Sequence, residues 1–178
     1  MAAMSKSTDT TKSLNQIVAD LEALIDLSGR PEEMSRHSDS VSSWSVGKHV
    51  EHLTLSDEFT LDGLSKLLAN PKGGKPGKPN LVGRICLWAG YIPRGRGKAP
   101  KGVVPQEIPS EDVHDKLVAV RQGFVELQTS AGQLTSSIAT VPHPVFGRLN
   151  APQWLRFTVV HHNHHQKIMH DIARAQRS

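Results

Sequence analysis

Three observations predict an all-α protein, an antiparallel four-helix bundle. Apolar residues recur at spacings of three and four in four segments, no strand-like alternation is present, and no internal repeat exists. A long Gly/Pro/Lys-rich insertion, at about 71–109, separates helices two and three. At 178 residues the chain is long enough for one domain with a real core, placed at 11–178. The polar stretch 1–10 reads as a disordered N-terminus. Only 4% of residues are aromatic, so the core must rest on Leu, Val, Ile and Ala.

Helix one starts at Thr11 and buries Leu14, Ile17, Val18, Leu21, Leu24 and Ile25. Gly29 and Pro31 stop it, glycine suiting a C-cap and proline being unable to continue a helix. Residues 32–43 are polar and read as a loop. Helix two opens near Trp44-Ser45, with Ser42, Ser43 or Ser45 as its cap, and carries Val46, Val50, Leu53, Leu61, Leu64 and Leu68 to Asn70-Pro71. The insertion that follows exceeds the 2–8 residues usual between helices. Its apolar middle, Leu81 to Ile92, is expected to form a short docked helix, anchored by Leu81, Ile85, Leu87, Trp88 and Ile92. Ser110-Glu111-Asp112 caps helix three, whose stripe runs through Leu117, Val120, Phe124, Leu127 and Leu134. Two prolines and a glycine make Val141–Gly147 a turn, in which Phe146 should be buried at the bundle end, near Trp154 and Trp44. Asn150-Ala-Pro152 then opens helix four.

The net charge of +4 conceals a local excess. Pro71 to Gln106 holds eight Lys and Arg and no acid, which leaves −4 for the rest of the chain. The basic character is therefore confined to the insertion, and a nucleic-acid partner is not indicated. No apolar run approaches the roughly 18 residues of a membrane helix, and the N-terminus lacks the apolar core of a secretory signal. With the single cysteine, Cys86, excluding an internal disulfide, a cytoplasmic protein is expected.

Ten histidines stand out in this composition. On helix four, the seam that buries Trp154 and Phe157 leads by steps of three and four to His161, then His164/His165, then Ile168. His161 and His165 thus take core positions one turn apart, where unpaired polar groups cost about 1–3 kcal/mol each. At i and i+4 they can bind one metal ion. His162 falls off this seam. A third ligand must come from another helix, and helix two offers His49 or His52, between which periodicity does not choose. His37, His114, His143 and His170 read as bland surface residues. Glu51, Asp57 and Glu58 are candidate general bases that read more simply as solvated charges.

Trp44-Ser-Val-Gly-Lys-His-Val-Glu-His52-Leu resembles the second-helix signature of the DinB-like superfamily. His143-Pro-Val-Phe-Gly147-Arg-Leu, Trp154 and His161-x-x-His164-His165 resemble the last-helix motif of one DinB-related branch of unknown function. The resemblance covers most of helices two and four, and it implies a four-helix bundle with a divalent metal near one end. It also selects His52 over His49, giving the ligand set His52, His161 and His165. The basic insertion departs from the family pattern.

Such a triad suits a divalent transition metal (zinc, nickel or iron) and leaves open positions for water or substrate. The resemblance implies a metal-dependent enzyme, either a hydrolase or a transferase using a low-molecular-weight thiol. A non-catalytic bundle, with the metal structural or the histidines in a stress-related binding role, is the alternative. The expected partner is a small molecule, anionic or a thiol, and a homodimer stands open. If the insertion docks at the histidine end, its basic flanks would form a lid attracting anions.

Overall fold

The computed structural model describes residues 2–73, 77–95, 97–106 and 110–176. The described residues are mostly helical, with one two-stranded sheet. Four helices are long: α1 (Ala2–Ser28), α3 (Val46–Ala69), α5 (Ser110–Gln128) and α7 (Ala151–Ala175). Three are short: α2 (Pro31–Met34), α4 (Leu81–Ala89) and α6 (Ala131–Ser136). Strands β1 (Val141–His143) and β2 (Gly147–Leu149) form an antiparallel hairpin in which Val141 pairs with Leu149 and His143 with Gly147. Among the described residues, no helix is long and apolar enough to cross a membrane.

The long helices follow from their apolar stripes. Leu14, Ile17, Leu21 and Leu24 of α1 are buried against α5 and α7, while α3 packs on the same two helices. Ser45 caps α3, its Oγ accepting from Lys48 N at 3.2 Å. Asn150 and Gln153 close a reciprocal capping box at the start of α7, which spends two otherwise unpartnered backbone donors.

Several local expectations are corrected. Helix α1 starts at Ala2 rather than at Thr11: residues 2–9 contain no glycine or proline to stop the helix, and buried Thr10 bonds the Thr135 hydroxyl. Pro31–Met34, expected within a connection, forms the single turn α2, with proline at its first position. The third long helix does not run unbroken to Leu134. It ends at Gln128, and α6 restarts at Ala131, so that Leu134 still reaches the core. The 141–147 turn is a β-hairpin, closed where Gly147 adopts φ 82°, a conformation favouring glycine.

The segment between α3 and α5 docks in a way its larger side chains do not suggest. Leu81, Ile85 and Trp88 of α4 are exposed, Trp88 at 87%, and so are not anchors. The helix meets the body through Gly83 and Cys86, with Leu87 and Ile92 half-buried. A Cβ at Gly83 would lie 2.8 Å from both the Cβ and the carbonyl oxygen of Phe146. Small size at that position therefore permits the approach. Just before α4, Asn80 N bonds Phe146 O at 2.9 Å and its side-chain amide bonds Val145 O at 2.8 Å. One end of this segment is thus tied to the hairpin. The other end returns to α3: Gln106 N donates to Glu51 Oε1 at 2.6 Å. The basic flanks are exposed at Lys72, Lys78, Arg94, Lys98 and Lys101, while Lys75 and Arg96 lie outside the described residues.

Candidate metal centre

Helix α3 supplies His52, and α7 supplies His161 and His165, one turn apart on its buried face. Their Nε2 atoms converge. His52 Nε2 lies 3.2 Å from His161 Nε2, which lies 3.1 Å from His165 Nε2. Among the described residues, these three form the one buried cluster in which a ligand atom from each lies within 4.8 Å of the others. Ligands about 2.0–2.1 Å from an ion stand about 3.3 Å apart in a tetrahedron and about 2.9 Å apart at adjacent octahedral corners. The two observed separations fall between these values, so the donor set fits a small divalent ion.

The second layer fixes how the rings present themselves. His52 Nδ1 donates to the Val103 carbonyl at 2.6 Å, which leaves Nε2 with its lone pair facing the centre. Val103 belongs to a 3-10 turn, Lys101–Val103, so the segment between α3 and α5 itself orients a candidate ligand. His165 Nδ1 meets His49 Nδ1 at 2.9 Å, and His49 Nε2 meets Ser42 Oγ at 3.0 Å. Of the two proton orders along this chain, one has His165 donating to His49 and His49 donating to Ser42. That order frees His165 Nε2 to bind metal. Trp44 packs against the same rings, 5.1 Å from His52 and 5.3 Å from His49 between centroids.

Burial keeps these imidazoles neutral, the form that ligates. It holds His161 and His165 well below the ordinary histidine range, with neighbouring histidines adding to the effect. Burial also lowers His52, against the pull of the Val103 carbonyl, and brings His49 down to about 4. His162 is the opposite case. It is fully buried, with Nε2 2.8 Å from Asp57 Oδ2 and Nδ1 3.3 Å from Asp20 Oδ2. Burial works against its charge, but the two carboxylates outweigh it and push the pKa up to about 9. It clamps α1, α3 and α7 together and points away from the triad.

A cleft of about 230 Å³ opens over the triad, walled by Trp44, Phe59, Phe146 and Phe157 and roofed by Ile92, Pro93, Lys98, Ala99, Pro100 and Val103. None of the described residues lining it is acidic, and Lys98 stands at its rim. The candidate bases on α3 do not serve it: Glu51 holds Gln106, Asp57 holds His162, and Glu58 is exposed.

A family model matches residues 10–171, a span that includes all three histidines. The chain belongs to the DUF1569 family, described as proteins of unknown function. No curated protein and no solved structure matches the chain. In this DUF1569 member, sequence reasoning missed His143 and gave His49 no role beside His52. His143 is buried and lines the cleft instead of lying on the surface, because the hairpin folds it onto Trp154 and Phe157. His49, set aside in favour of His52, backs His165; its position three residues before His52 on one helix face was the available signal. Of the others, His114 bonds Ser28 Oγ at 2.9 Å, His37 stands 3.5 Å from Asp39, and His170 is exposed.

Proposed function

We propose that His52, His161 and His165 hold a divalent transition metal ion, and that the protein is a metal-dependent enzyme, a hydrolase or a low-molecular-weight thiol transferase. One observation carries this reading: three buried Nε2 atoms face one another, with Val103 fixing the lone pair of one of them inward. A proton on one ring is a poor partner for two other nitrogens, whereas a divalent ion takes a lone pair from each. Zinc, nickel and iron all suit imidazole ligands. When bound, such an ion supplies a Lewis acid and lowers the pKa of a water ligand towards about 7. The chain's own residues hold the ligands through Val103 and His49, exclude bulk water with the aromatic walls, and offer Lys98 to an anionic substrate.

The four long helices and the ligand spacing support a DinB-like antiparallel four-helix bundle, with the insertion as a roof over the site. The single, buried Cys86 fits a reducing compartment, and the cytoplasm is the proposed location. Elemental analysis of protein purified without a nickel column tests the centre. We expect about one zinc, nickel or iron ion per chain, reduced sharply by His161→Ala. Wild-type protein that stays metal-free after incubation with each ion would remove the basis for this function.

A further inference from the structure

His143 is the most sharply defined polar group in the cleft outside the triad. The hairpin turns back on its ring: Val145 N and Phe146 N both donate to its Nδ1, at 3.1 and 3.0 Å. With Nδ1 engaged as an acceptor, the neutral ring carries its proton on Nε2, and an imidazolium would set an N–H against two other N–H groups. The ring is sandwiched by Phe146, Trp154 and Phe157 at centroid distances of 4.3–5.0 Å, so it cannot turn. The residue is 8% exposed, and that opening is onto the cleft. Trp154 Nε1 is the one fully buried side-chain nitrogen or oxygen without a partner among the described residues, so His143 Nε2 is not sealed in. No described group bonds it. Burial also holds the ring neutral, bringing its pKa down to about 4.

We propose that His143 presents Nε2–H to the cleft as a fixed, neutral hydrogen-bond donor, and that the cleft binds a small molecule with an apolar body and a carbonyl or carboxylate oxygen. The apolar body fits the walls formed by Trp44, Phe59, Phe146 and Phe157. The oxygen is an acceptor without a proton of its own, which is what an N–H that cannot rotate or reverse its polarity selects. Lys98 at the rim and the absence of acids among the described lining residues favour the carboxylate form. This assignment deepens the metal-enzyme reading by naming what shares the cleft with the triad, but its geometry rests on the hairpin alone.

Benzoate, an apolar ring bearing a carboxylate, is a suitable probe. In 15N-histidine-labelled protein, zinc-free and zinc-loaded, long-range 15N–1H spectra at neutral pH should show His143 as the Nε2–H tautomer. Its Nε2 resonance should move on addition of benzoate. His143→Asn retains an acceptor oxygen near the Nδ1 position for the two backbone donors and removes the Nε2 donor. It should stay folded, keep the wild-type zinc content and bind benzoate at least about tenfold more weakly. An Nδ1–H or charged His143, a resonance unmoved by benzoate, or wild-type affinity in His143→Asn would each overturn the proposal. If His143→Asn fails to fold, the tautomer and its response in wild-type protein still decide. Wild-type protein that takes up none of zinc, nickel and iron sinks the metal centre alone, because His143 is read in the metal-free protein as well.

Discussion

Asp57→Asn should be among the most damaging single substitutions, although Asp57 touches neither the triad nor the cleft. Its carboxylate lies 2.8 Å from His162 Nε2 in a site where both side chains are at most 1% exposed. Raising a histidine from 6.5 to about 9 corresponds to roughly 3 kcal/mol of preferential stabilisation of its charged form. Removing one member of a buried ion pair typically costs about 3–5 kcal/mol. Asp20 remains in the variant, but it is the longer contact, at 3.3 Å, and its side chain is 9% exposed. We therefore expect a loss of about 2–4 kcal/mol, a large part of the roughly 5–15 kcal/mol that holds a domain folded. The pH dependence carries the diagnosis. The folded pKa is raised, so the stabilisation is fully present below pH 6.5 and is lost as pH rises through about 9. Urea unfolding followed by circular dichroism, with a chelator present to silence the triad, should show wild-type protein weakening across that window. The variant should change much less. Parallel pH profiles for the two proteins would refute the clamp.

His49→Ala should lower metal affinity about 10–100-fold while leaving the triad intact, because it removes the group that orients His165; competition with a chromogenic chelator measures this, and unchanged affinity would sever the relay from the site. Phe146→Ala should cost about 3–5 kcal/mol, since the ring is buried against Phe157 and His143, whereas Trp88→Ala should shift stability by less than about 0.5 kcal/mol. Thermal melts of the pair should diverge, and similar melting temperatures would contradict the assigned packing of α4. Lys98→Ala, alone or with Lys101→Ala, should raise the KM for an anionic substrate at low salt and leave metal content intact. The difference should shrink at 1 M salt, where the Debye length falls to about 3 Å; a salt-independent effect would mean a direct contact instead of steering.

The long helices were legible because each must bury a stripe repeating every three or four residues, and that period survives in the letters at Leu14–Leu24 and Trp154–Ile168. His161 and His165 were legible for the same reason, as polar letters on an apolar stripe. Elements held by tertiary contacts left weaker traces. The hairpin contains two prolines in its first five residues, which read as a turn, and its pairing spans three residues a side. His143 carries no period at all, and only the folded hairpin shows its ring to be enclosed. In α4 the larger side chains suggested anchors, but the contact is made by Gly83 and Cys86, where smallness allows the approach. His162 lay off the triad seam, yet it is buried on a different side of the same helix. Replacing it would unfasten three helices, so it cannot serve as a neutral control for metal binding.

The bond from His52 to the Val103 carbonyl has a thermodynamic consequence. If His52 holds the proposed ion, the loop that positions it shares its free energy with that ion: whatever pulls 101–106 off α3 would weaken the centre, and by reciprocity the ion would hold the loop down. Val103 of this segment lines the cleft, so a molecule that must lift it to enter or leave would work against affinity for the proposed metal, and one that seats beneath it would strengthen both. Slower protease cleavage within 91–106 on adding zinc would measure the coupling, and an unchanged rate would show the roof and the centre to be independent. Opening the cleft and loosening the ion would then be two readings of a single equilibrium.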